Sequence, residues 1–157
     1  MFDVYYWCWD GILPEDLCET LILEGDKMLS VDGAVGESGS VNYMPEARET
    51  NISFFDQYHW VHGICIHYAN IANKNAGWNF DISHPQNVQY ARYFPDQHYV
   101  PHKDDTISPN KKEMRKLSVA IQLSNENNYE GGEFTIQSLC GTNFETINQF
   151  RKRGKIS

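Results

Sequence analysis

The stretch QYARYFPDQHYVPHKDDTI, from Gln89 to Ile107, decides how the rest of this chain is read. Tyr90, Tyr93 and Phe94 sit in β-favouring company and open it as a strand. Pro95-Asp96 breaks that strand in the manner of a tight turn. His98-Tyr99-Val100 resumes it, Pro101 stops it, and His102-Lys103-Asp104 follows at once. Side chains two apart on an extended segment point to the same side, so His102 and Asp104 are predicted to converge. An imidazole nitrogen and a carboxylate oxygen aimed at one point are two of the three donors of a 2-His-1-carboxylate metal site. A bare His-x-Asp is more often a surface pair, so its weight comes from the residues around it.

The remainder of the chain narrows the classes. At 157 residues there is enough chain for one domain with a single core. Aromatic residues are frequent and apolar ones ordinary, which predicts a packed globule. A net charge of -8 opposes electrostatic binding to nucleic acid or to membranes. The one sharply basic piece, Arg151-Lys152-Arg153-Gly154-Lys155, reads as a solvated turn. Cys8, Cys18, Cys65 and Cys140 have no CxxC spacing, so neither a zinc knuckle nor a redox motif is written here. Without a charged leader or an apolar run of membrane length, the expectation is a soluble cytoplasmic protein with reduced thiols.

In chain order, Met1 to Trp9 alternates loosely as a short strand. Pro14-Glu15-Asp16 opens a helix with an apolar stripe of Leu17, Cys18, Leu21, Ile22, Met28 and Leu29. Ser30 to Ser40, rich in Gly and Ser, reads as a connecting loop. Asn51 to Phe55 reads as a strand. Asp56 to Asn75 reads as a second amphipathic helix, with Trp60, Val61, Ile64, Cys65, Tyr68, Ile71 and Ala72 on its buried side. His59, His62 and His67 on that helix lack a carboxylate at a matching turn and read as helix-surface histidines. Trp78 to Ile82 alternates again. From Val88 onward, strands are expected at 88–94, 98–101, 115–123, 133–138 and 143–150, the pattern of an antiparallel sheet folded on itself. Gly131-Gly132-Glu133-Phe134 shares a string with diguanylate cyclases but lacks their α/β setting and nucleotide loop.

The Gln89–Ile107 stretch resembles the Tyr-…-Tyr-x-x-His-x-Asp signature of the prolyl 4-hydroxylase-like 2-oxoglutarate/Fe(II) dioxygenases. The resemblance runs on through Arg115-Lys116-Leu117-Ser118-Val119-Ala120-Ile121-Gln122-Leu123-Ser124 and Tyr129-Glu130-Gly131-Gly132-Glu133-Phe134, and is weaker over the N-terminal half. It implies an α+β fold: one domain over 1–157, with residues 1–85 as helical support and 86–157 as a double-stranded β-helix, or jelly-roll, core. It implies His102 and Asp104 as iron ligands and catalytic residues, and Tyr93 as a wall of the 2-oxoglutarate pocket. Lys103 and Asp105 match no ligand of the family. The implied cofactors are Fe(II) and the cosubstrate 2-oxoglutarate, with ascorbate admitted as an accessory. The implied reaction decarboxylates 2-oxoglutarate to succinate and CO2 while hydroxylating a prolyl or other amino-acid side chain. The partner expected is a peptide or protein substrate, or a small molecule, with no nucleic acid and no membrane.

One departure matters. No histidine follows His102 in the sequence. In the family, the segment matching Lys152–Ser157 leads shortly to Phe-Pro-Ser and a distal His, with a basic residue for the far carboxylate of 2-oxoglutarate beyond it. The expectation is therefore a fragment that lacks the third ligand and the last core strands. Such a chain should be poorly active, with raw sheet edges at 115–123 and 143–150 that promote association. The competing class is a non-catalytic jelly-roll binding or interaction module, which needs no convergence of Tyr93, His102 and Asp104. A zinc hydrolase would need His-Glu-x-x-His or an equivalent, and none is present.

Overall fold

Pro14 precedes the first helix, α1 (Glu15–Lys27). Proline has no N–H to leave unpaired there, and Glu15 and Asp16 suit the positive end of the helix dipole. Cys18 and Leu21 are buried on its inner side. The backbone turns extended at Met28, which takes Leu29 off the stripe; Leu29 is exposed rather than packed. The computed structural model describes residues 4–33, 44–104, 114–137, 144–146 and 148–157. The start of the expected first strand, most of the Gly/Ser loop, and Asp105 lie outside them.

Three antiparallel strands, β1 (Val31–Asp32), β2 (Asn51–Phe54) and β3 (Gln89–Arg92), form a sheet in that order. Tyr90 of β3 crosses α1 at Gly25, where a Cβ would sit 2.5 Å from the Tyr90 ring, so glycine is what lets helix and sheet close. The Tyr90 hydroxyl and the Arg92 guanidinium then both donate to Asp26, at 2.9 and 2.8 Å.

Past Arg92 the pairing breaks and returns. Between the pairs Asn51–Arg92 and Arg48–Tyr99, one strand moves three residues and its partner seven. The excess is the Pro95-Asp96 turn, closed by the Gln97 N–H donating to the Phe94 carbonyl at 3.0 Å, with Asp96 at φ 68°. Aspartate tolerates that left-handed backbone better than most residues. Glu49 and His98 then exchange backbone hydrogen bonds of 2.8 and 3.1 Å, and the Val100 N–H donates to Ala47 at 2.9 Å.

The second helix, α2 (Val61–Asn75), starts five residues later than expected. Asp56 accepts the Tyr58 N–H on its side chain and the His59 N–H on its carbonyl, both at 2.9 Å. His59 Nδ1 accepts the Val61 N–H at 3.2 Å. Residues 56–60 are thus a turn that leads into the helix, and Trp60 stays exposed. His62, expected on the surface, is buried. Residues 78–82 are not a strand. The buried Asn73 amide takes both backbone groups of Phe80, at 2.9 Å each, and so does the work of a partner strand.

Strands β4 (Thr135–Gln137) and β5 (Phe144–Thr146) pair antiparallel. Of the 115–123 run, Ile121 bridges Ile156, and Ala120 and Gln122 bond the backbone of Ser157 and Lys155. Ile156, fully buried, also bridges Trp9 on its other side. It joins Leu13, Cys18, Leu21, Phe55, Val61 and Tyr90 in one core cluster.

The basic segment is not a solvated turn. Lys155 is 1% exposed, with Nζ 2.5 Å from Asp10 Oδ1. Arg153 reaches Glu15 at 2.8 Å and Glu19 at 2.5 Å, clamping the first turns of α1, and the Arg151 guanidinium lies over the Tyr129 ring. Among the described residues, no helix is long and apolar enough to cross a membrane.

Candidate functional site

The resumed strand delivers Tyr99 and Val100 to the sheet, and Pro101 then releases the chain into His102. His102 and Asp104 converge: Nε2 lies 3.2 Å from Oδ1. Both side chains are partly open to solvent, 38% and 41% exposed. The other ring nitrogen, Nδ1, is 3.0 Å from the Val100 carbonyl oxygen. The Tyr99 ring stacks on the imidazole at 3.7 Å between centroids and 15° between planes. The Arg48 guanidinium lies 4.5 Å from the Tyr99 centroid.

Asp104 is held from its other oxygen. The Ser118 hydroxyl donates to Oδ2, while Arg115 Nη1 stands 3.3 Å from Oδ1. Arg115 is itself steadied by the Gln86 amide oxygen, 3.1 Å from its Nε. Burial alone would push the Asp104 carboxyl up, but the Ser118 hydrogen bond and the charges of Arg115 and His102 outweigh it and hold it below the usual range. The Tyr99 phenol is pushed up by burial, against the pull of Arg48 and with Asp104 and Tyr93 adding to the rise. Tyr93 stands 48% exposed just after β3, where the chain enters the Pro95-Asp96 excursion.

The other histidines go elsewhere. His59 Nε2 pairs Glu24 at 3.0 Å, and His67 packs edge-on against Tyr68. Ser83 Oγ lies 3.2 Å from His84 Nδ1, and His98 Nε2 lies 3.3 Å from the Glu46 carbonyl. Among the described residues, no three His, Cys, Asp or Glu side chains form a metal-binding group. His102 and Asp104 fit a cation as two neighbouring ligands, with the remaining positions left to other donors.

Sequence reasoning found His102 and Asp104 from their spacing but missed Arg48, Tyr99, Arg115 and Ser118 as their supports. Tyr99 could have been found, because an aromatic three residues before the histidine can fold back across Pro101 onto the imidazole. Arg48 carries no local signal, since only the strand pairing brings it opposite Tyr99. Comparison of the chain with protein-family models, with curated proteins and with solved structures finds no match.

Proposed function

We propose that this chain carries the histidine–aspartate part of the Fe(II) site of a 2-oxoglutarate-dependent dioxygenase, prolyl 4-hydroxylase-like, that hydroxylates a prolyl or other amino-acid side chain in a peptide or protein. The observation that carries the reading is that both nitrogens of His102 face oxygen acceptors, Val100 O and Asp104 Oδ1. A neutral imidazole has one N–H. With that proton donated from Nδ1 to the carbonyl, Nε2 turns a lone pair on a carboxylate, an opposition that a second proton or a cation between them relieves. Neighbouring ligands of a six-coordinate ion, each at about 2.1 Å, stand about 3 Å apart, close to the spacing of this pair.

Bound there, Fe(II) with 2-oxoglutarate would supply the activation of O2, with succinate and CO2 as coproducts. His102 Nε2 and Asp104 Oδ1 would hold the ion, Ser118 would keep Oδ2 turned away from it, and Tyr93 would line the cosubstrate pocket. The antiparallel strands belong, on this reading, to a jelly roll buttressed by α1 and α2, in a cytoplasmic protein. Among the described residues no third His, Cys, Asp or Glu joins His102 and Asp104, and on this reading the chain alone is poorly active.

One observation favours a non-catalytic binding module instead. Arg115 already gives Asp104 Oδ1 a cation from within the chain. Titration with Co(II), followed by visible absorbance, separates the two readings. A saturable spectrum that disappears in both His102→Ala and Asp104→Ala supports the metal site. Indistinguishable titrations for the native chain and both variants sink it and leave the binding module.

A further inference from the structure

Arg48 is a buried cation with few partners. It is 8% exposed; Nη2 donates to Gln89 Oε1 at 2.7 Å, while Nε is buried with no hydrogen-bond partner among the described residues. Its place is reserved by Gly33, where a Cβ would stand 3.0 Å from Arg48 Nε and would overlap the Thr50 methyl group. A desolvated guanidinium short of acceptors gains from the electron-rich face of an aromatic ring, and the ring it has is Tyr99. That ring is in turn the one stacked on His102.

The strand register makes this arrangement obligatory. Glu49 and His98 exchange both of their backbone hydrogen bonds, so Arg48 and Tyr99 form the adjacent pair without hydrogen bonds, where side chains stand closest. His102, by contrast, lies beyond the paired segment and is 38% exposed, so burial does not fix its ring. Its contacts at Nδ1 with Val100 and at Nε2 with Asp104 fix two points of the ring but leave its plane free to rock about the line between them. A flat ring against its face removes that freedom.

We infer that Arg48 is a positioning residue of the His102–Asp104 site, holding the imidazole plane through the Tyr99 ring so that Nε2 points at Asp104. The inference rests on the proposed metal site for its purpose but not for its geometry, and the test reads the two separately. The chain is labelled with 13C-histidine, and the His102 ring protons, which stacking displaces upfield, are followed by NMR together with Co(II) affinity. Tyr99→Phe keeps a ring and is expected to keep both signals. Arg48→Gln and Tyr99→Leu are expected to return the His102 protons to unstacked positions and to weaken Co(II) binding roughly tenfold, the usual cost of losing a ligand's support. Arg48→Met removes the charge but keeps a buried stem, and it takes the place of Arg48→Gln if that variant fails to fold. A folded Arg48 variant with His102 resonances unmoved overturns the inference. If the native chain binds no Co(II), the metal reading fails, and the ring protons alone decide what Arg48 does.

Discussion

Glu49 and His98 face each other across two backbone hydrogen bonds, of 2.8 and 3.1 Å, on the far side of the Pro95-Asp96 excursion from β3. That single pair re-registers the strand after its interruption. A slip of one residue there would turn Tyr99 to the opposite face, away from Arg48, and His102 would lose the ring against which it lies. The site therefore depends on a turn whose surplus residues are absorbed without disturbing the pairing on either side.

Ser118 is expected to matter to the metal site although it is not a ligand. Its hydroxyl occupies Asp104 Oδ2 and leaves Oδ1, which Arg115 also approaches, facing His102. Ser118→Ala should weaken Co(II) binding about tenfold with little loss of fold. Calorimetric titration checks this, and an unchanged affinity would mean that Arg115 alone orients the carboxylate.

Gly154 should not tolerate a side chain. Its φ is +73°, and a Cβ there would overlap the Leu13 carbonyl oxygen, while its own carbonyl accepts the Leu13 N–H at 3.0 Å. Left-handed strain and overpacking act together, so Gly154→Ala should cost about 3 kcal/mol or more. Urea unfolding of the two chains measures it.

The fold should be sensitive to acid through Asp26. The hydrogen bond from Arg92, helped by Tyr90 and opposed by burial, holds its carboxyl below the ordinary 3.8. A carboxyl lowered by folding stabilises the folded state fully above its unfolded value, and that contribution fades as pH falls through the folded one. Melting temperature should therefore drop below about pH 4, and Asp26→Asn should flatten the drop while lowering stability at pH 7. Melts from pH 2 to 7 on both chains decide it; parallel curves would locate the acid response elsewhere.

Asp10 and Lys155 should respond unequally. Lys155 is almost wholly covered and Asp10 is its counter-ion at the surface. Asp10→Asn strands a buried ammonium, whereas Lys155→Met removes the charge and keeps the stem, so the aspartate variant should melt lower. The reverse order would show that solvent reaches the Lys155 ammonium.

Much of this was open to reading in the residues themselves. Pro14-Glu15-Asp16 announced α1, the Pro95-Asp96 break lies where the strand leaves its partner, and the spacing of His102 and Asp104 brings them together. What stayed hidden depends on partners far along the chain. Phe80 lies in an alternating run, yet the Asn73 amide satisfies its backbone, and no local pattern records that. The basic run at 151–155 looks solvated until Asp10, Glu15 and Glu19, from the other end of the sequence, are placed beside it. Helix α2 begins late because Asp56 and His59 hold residues 56–60 in a turn through local hydrogen bonds, a competition that side-chain periodicity does not register.

Ile156 lies between Trp9 and Ile121, and Trp9 is separated from it by nearly the whole chain. Joining them closes a very large loop, whose lost entropy must be overcome before the contact gives anything back. Helices α1 and α2 and the β4–β5 hairpin can form earlier, from neighbours in sequence. The segment at 155–157 is then expected to dock late, so that its contacts act chiefly on the rate of escape from the native state. Weakening them should quicken unfolding and leave refolding nearly untouched, so that the protein's lifetime is set by one of its smallest pieces.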